Sequence, residues 1–210
     1  PPAEEAVKLY RELFEQNPDA FRPALATSLN NLANRLSELG RRPEALPPAE
    51  EAVKLYRELF EQNADAFRPA LANSLNNLAI RLSELGRRPE ALPPAEEAVK
   101  LYRELFEQNP DAFRPDLAKS LGMMGQVREA NQQADLALEC FAQGIRVLAP
   151  QFMSLPTAFA QIMGQLGQDY LRLAERLGRE PDASLLTPVA EVLQRLESGA
   201  PPGKGAPPDL

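Results

Sequence analysis

The chain has 210 residues, 44% hydrophobic and 25% charged, and its 23 basic and 30 acidic side chains leave a net charge of −7. Without histidine there is no imidazole base near neutrality and no Ser-His-Asp or Cys-His arrangement, and the one cysteine, Cys140, can make neither an internal disulfide nor a zinc site. No apolar run approaches the ~18 residues of a membrane helix, no signal peptide opens the chain and no basic cluster awaits phosphate, which sets catalysis, membranes and nucleic acid behind protein binding.

A period of 46 organises the sequence, since the Pro1-Pro2-Ala3-Glu4-Glu5-Ala6-Val7 opening returns at Pro47 and Pro93. Residues 1–46 and 47–92 differ at only three positions: Pro18/Ala64, Thr27/Asn73 and Asn34/Ile80. The third copy matches through Asn109 and then drifts, reading Gly122-Met123-Met124-Gly125 where the first has Asn30-Asn31-Leu32-Ala33. A start at Pro1-Pro2 without methionine reads as a piece of a longer protein.

The first predicted helix is Ala3–Gln16, with apolar residues at 3, 6, 7, 10, 13 and 14 and oppositely charged pairs Glu4/Lys8 and Arg11/Glu15 on its other face. Asn17-Pro18-Asp19 reads as a break, Pro23 as the first residue of a second helix and Gly40 as its C-cap. Along that helix Leu25, Leu29, Leu32, Ala33, Leu36 and Leu39 share one side, while Thr27, Asn30, Asn31, Asn34 and Glu38 form a polar stripe opposite. Pro47-Pro48 and Pro93-Pro94 predict a short turn at 43–46 and a restarted main helix over 48–62, because proline inside a helix removes hydrogen bonds. Glu139-Cys140 in the same slots predicts an uninterrupted third counterpart. Beyond the repeats, Phe159, Ile162, Met163, Leu166, Tyr170, Leu173 and Leu177 mark a helix from Pro156 to Leu177, and Thr187-Pro188 opens a last one ending near Glu197. The Gly/Pro-rich stretch from Ser198 reads as a tail or linker.

From the second helix onward, Leu29-x-x-Leu32-Ala33-x-x-Leu36-x-x-x-Gly40, Glu44-Ala45-Leu46 and Ala52 resemble the tetratricopeptide repeat. Ser28-Leu29-Asn30-Asn31-Leu32-Ala33 and the long period are most similar to kinesin-light-chain-type repeats, also met beside enzyme domains in bacterial signalling proteins. The resemblance implies an all-α, right-handed solenoid of antiparallel helix pairs. The pairs are 23–40 with 43–62, 69–86 with 89–108 and 115–130 with about 132–148. Domains follow as 1–148 repeat array, 149–197 capping helices and 198–210 tail. It also implies a non-enzymatic scaffold that needs no cofactor or metal and binds a peptide or protein segment in a concave groove. The single cysteine fits a reducing, cytoplasmic setting. Near-identical repeats invite a second, architectural role through end-to-end association, and the resemblance implies a third, as the sensor or regulatory arm of a larger bacterial signalling or effector protein.

Two of the three differences between the first copies, Thr27/Asn73 and Asn34/Ile80, fall on the polar stripe, and the third copy differs there again with Lys119 and Gln126. Copies that agree elsewhere and differ on one face point to a face fitted to a ligand. Asn30 and Asn76 recur on the stripe and are predicted to offer amide donors and acceptors to an extended peptide. Met123 places an apolar group at the far end of the stripe, and Cys140 among Leu138, Phe141 and Ile145 reads as a small buried thiol. Glu4-Glu5 alternates with Lys8 and Arg11 as a solvated face, and Gly199–Lys204 lacks phosphate-loop spacing.

Overall fold

From the second helix to the eighth, alternate helix starts keep the 46-residue spacing of the sequence. The computed structural model describes residues 2–198, which form nine α-helices and no strand. They are α1 (Pro2–Gln16), α2 (Pro18–Glu38), α3 (Arg42–Gln62), α4 (Ala64–Glu84), α5 (Arg88–Gln108), α6 (Pro110–Ala130), α7 (Ala134–Ser154), α8 (Pro156–Arg176) and α9 (Ala183–Ser198). Ser198, where the tail was expected to begin, is the last residue of α9, and the rest of that stretch, with Gly199–Lys204, lies outside the described residues. Helix α8 begins 46 residues after α6 and keeps the spacing of the even helices, while the shorter α9 is consistent with the expected C-terminal cap. The boundary expected at 148/149 falls inside α7.

Local chemistry sets the helix ends differently from the sequence reading. The break before α2 is a single residue, because Asn17 caps the helix: the Ala20 N–H donates to Asn17 Oδ1 at 3.3 Å. Asn63 and Asn109 do the same for α4 and α6 at 3.2 and 3.3 Å. Pro18 or its counterpart is therefore the first helical residue, and Pro23, expected at the start, sits in the second turn. Helix α9 likewise starts ahead of Thr187-Pro188, where Asp182 Oδ1 accepts the N–H groups of Ser184 and Leu185 at 3.0 and 3.2 Å. Nor does Pro47-Pro48 restart α3, which runs unbroken through 21 residues, as does α7 with Glu139-Cys140 in those slots. Proline's φ already suits a helix, and its cost there is the lost N–H and crowding of an earlier carbonyl. Pro48 is buried beside Ala45 and Ala49, both fully buried, so packing opposes that cost.

At the other end of α2, Gly40 adopts φ +75°, and the N–H groups of Gly40 and Arg41 donate back to the carbonyls of Ser37 and Leu36 at 2.8 Å each. This six-to-one, five-to-two pairing is the Schellman ending. Gly86 repeats it, and in the third copy Gln132 holds the left-handed position at φ +63°.

The backbone of each even-numbered helix from α2 to α8 comes close to that of the next even one, whereas the backbones of α1, α3, α5 and α7 stay apart from one another. The even helices therefore form the tighter, concave side of the array. Alanines at 33, 45, 49 and 52, all fully buried, let backbones approach within each pair. The third pair reaches the same closeness with other residues. Phe141 takes the Ala49 slot, and a Cβ on Gly125, in the Ala33 slot, would lie 2.5 Å from its ring. The charged faces also differ from the pairing within single helices expected from spacing. Arg11 pairs with Glu51 and Arg57 with Glu97 (2.7 Å), so long side chains bridge successive odd helices.

Candidate functional site

Three rows of side chains run across the concave side, each supplied by equivalent positions of α2, α4 and α6. The first is Thr27, Asn73 and Lys119, all exposed. The second is Asn31, Asn77 and Met123, exposed in the first copy and half-buried in the others. The third is Asn34, Ile80 and Gln126, of which the first two are half-buried and the last exposed. The structure thus brings six of the eight sequence-predicted residues onto one surface.

Asn30 and Asn76 are the exceptions. Both are buried, at 7% and 4% exposure, between successive even helices. Asn30 Oδ1 accepts the hydroxyl of Ser74 at 3.2 Å, and Asn76 Oδ1 accepts that of Ser120 at 3.1 Å. The expectation that these amides meet a ligand is therefore corrected: they join one repeat to the next. A step of one residue turns a helix by 100°, so Asn31 and Asn77 occupy the solvent-facing position assigned to their neighbours. The serine recurring two residues before each of these pairs (Ser28, Ser74) was the available signal. In the third copy Gly122 replaces the asparagine, and a Cβ there would lie 2.9 Å from Leu166 Cδ2, so the polar ladder gives way to an apolar contact.

The row members have different internal ties. The Thr27 hydroxyl lies 2.8 Å from the Tyr56 hydroxyl and donates to the Pro23 carbonyl at 2.9 Å. With Asn73 in its place, Tyr102 reaches the Pro69 carbonyl directly at 3.5 Å. Lys119 lies 3.9 Å from Asp116, and Gln126 Nε2 donates to Asp169 Oδ2 on α8 at 3.0 Å.

Between α2 and α4 the third row borders a polar pocket of Asn34, Ser37, Glu38, Arg81 and Glu84. The Ser37 hydroxyl donates to the Glu84 carboxylate at 2.8 Å, and Arg81 Nε lies 3.3 Å from the same oxygen. Burial pulls the Arg81 guanidinium below its ordinary value, opposed by the nearby carboxylates Glu84 and Glu38. Arg81 was not singled out from the sequence, because Arg35 matches it. Yet the Arg35 side chain is 71% exposed and that of Arg81 9%, the difference being α2 packed beside it.

Elsewhere the chemistry is quiet. Cys140 is a free, buried thiol whose pKa burial raises, away from the reactive range. Among the described residues no group of three or more Cys, Asp or Glu is placed to hold a metal ion, and no helix is long and apolar enough to cross a membrane.

The tetratricopeptide-repeat family model matches residues 25–63 and 71–111. No curated protein matches the chain. Among solved structures, BtubC (BKLC) from P. vanneervenii is similar with a TM-score of 0.66 at 17% identity, over 98% of this chain and 74% of that one. A single-residue variant of a putative kinesin light chain from Podosopora anserina, described as having nearly identical TPR-like repeats, gives 0.63 at 19% identity, over 93% and 89%. At these identities the likeness is one of fold. Helices α6 and α7 fall largely outside the matched segments and still keep the spacing of the pairs before them.

Proposed function

Residues 25–63 and 71–111 are tetratricopeptide repeats with the fold of the kinesin-light-chain type, and from that premise we propose that the chain binds an extended segment of a partner protein along its concave side. Such repeats mediate protein–protein interactions. The finer reading assigns recognition to the rows Thr27/Asn73/Lys119 and Asn34/Ile80/Gln126, with the amides of Asn31 and Asn77 between them to meet a peptide backbone.

One observation carries it. In two copies otherwise identical but for Pro18/Ala64, both remaining differences lie on the face of the even helices left open to solvent. Thr27 and Asn73 are exposed there and Asn34 and Ile80 half-buried, so packing constrains these positions less than the buried ones and leaves their divergence freer to follow a ligand. The action is binding without turnover, and it calls for no cofactor.

A random-peptide selection on the chain, followed by titration of an enriched peptide, tests the proposal. Ile80→Glu should weaken that peptide at least tenfold, while Lys54→Glu on an odd helix leaves it unchanged. Equal binding by both variants, each with an intact helical signal, contradicts the groove assignment.

A further inference from the structure

The concave side has a fourth rung. Helix α8 lies against α6 as α6 lies against α4, and Gln165, Asp169 and Arg172 fall one period after Lys119, Met123 and Gln126. Each rung meets the one before it at equivalent positions, so the three junctions between even helices can be compared residue by residue. All three junctions are interior, each walled by two helices of this chain.

At the first junction, between α2 and α4, an ion pair has its negative end outward. The Arg81 side chain is 9% exposed and that of its partner Glu84 27%, and the Glu84 carboxylate accepts the Ser37 hydroxyl at 2.8 Å. Glu84 and Glu38 together line an open pocket of ≈ 340 Å³ in which Arg81 is the one, sequestered cation. At the middle junction the counterparts of Arg81 and Glu84 are the buried Val127 and the half-buried Ala130, so these positions carry no charge. At the last junction, between α6 and α8, the pair is inverted. Glu129 is 12% exposed, whereas Arg172 and Arg176, which reach it at 2.6 and 2.9 Å, are 51% and 54% exposed. Asp169, also 12% exposed, lies 3.3 Å from Arg172. The carboxylates are sequestered there, and the guanidiniums that cover them turn the positive end of the pair to solvent.

We infer that the partner segment carries opposite charges in a fixed order, with a basic side chain seated at Glu84 and an acidic one at Arg172 and Arg176. This rests on the groove reading and adds a direction to it. Opposite charges at the two ends of a site complement one order and oppose the reverse. Packed helix axes lie about 8–10 Å apart, so the two steps from the first junction to the last span about 16–20 Å. An extended chain rises ~3.3 Å per residue, which sets the two charges about five or six residues apart. Between them the segment crosses Ala130 and the half-buried Met123, where apolar side chains fit.

A random-peptide selection on residues 1–210 tests it. Enriched peptides should carry a basic and an acidic residue about five or six positions apart, in one order only. For one such peptide, Glu84→Gln and Arg176→Gln should each weaken binding about two- to fivefold, the range of an exposed ion pair. Neutralising the peptide's basic residue should remove the effect of Glu84→Gln and leave that of Arg176→Gln, and neutralising its acidic residue should do the reverse. A peptide with the two charges exchanged should bind more weakly than its parent. Enriched peptides without this order, or binding that Ile80→Glu weakens and both neutral variants leave unchanged, overturn the inference while the groove reading stands. Enrichment of no peptide, or only of peptides indifferent to Ile80→Glu, overturns both.

Discussion

The carboxamide of Asn30 accepts a hydrogen bond from the Ser74 hydroxyl one repeat further on, and Asn76 does the same with Ser120. This buried ladder separates the structural Asn30 from the exposed Asn31 beside it and Asn76 from the half-buried Asn77, and the two sets should respond differently to mutation. Asn76→Ala strands a fully buried Ser120 hydroxyl, which costs about 1–3 kcal/mol. Chemical denaturation should show that loss, and Ser120→Ala added to Asn76→Ala should restore part of it. The exposed Asn31→Ala should change stability by less than about 0.5 kcal/mol.

The close approach of Gly125 to Phe141 predicts a coupled pair. Gly125→Ala would push a methyl group into the ring and should destabilise by about 1–3 kcal/mol. With Phe141→Ala, which recreates the alanine pair of the first two repeats, the Gly125→Ala penalty should vanish. A double-mutant cycle measures this, and additive losses would show that the Gly125→Ala penalty does not come from the ring.

Gln132 sits in a left-handed conformation where the first two copies place glycine. Gln132→Gly should raise stability by about 1 kcal/mol and Gly86→Ala should lower it by a similar amount, both read from thermal or urea midpoints.

Acid should loosen the junction of α6 and α8. Arg172 donates to both Glu129 oxygens, at 2.6 and 2.7 Å, and Arg176 lies 2.9 Å from one of them. The Arg172 hydrogen bonds, with both arginine charges, hold the Glu129 carboxyl below its ordinary value against the effect of burial. The folded value lies below that of an unfolded carboxylate, about 4.3. The pair therefore stabilises above that pH, and its contribution is lost as pH falls through the folded value. Glu129→Gln should reduce stability at neutral pH, and its difference from the parent chain should shrink on acidification.

The repeat and its helices were legible because apolar periodicity and near-perfect duplication are properties of the chain itself, and their antiparallel pairing followed from the resemblance to tetratricopeptide repeats. Helix starts were not: the rule that favours proline in a first turn competed with the asparagine cap at Asn17, and the cap prevailed. The proline pairs were misjudged because burial of Pro48 beside alanines depends on tertiary packing. Asn30 was placed on the wrong face because its serine partner lies 44 residues away in sequence. Arg81 was invisible for a related reason, since an identical copy at Arg35 stands exposed and only the neighbouring α2 distinguishes them.

The most direct measurement bears on the two concave positions at which the first copies differ. Asn73→Thr with Ile80→Asn makes the second repeat match the first along that face. Calorimetric titration of a peptide selected on the parent chain should then show affinity lower by about tenfold, or ~1.4 kcal/mol, at an unchanged melting temperature. Undiminished affinity in a folded double variant would contradict the assignment of recognition to these rows.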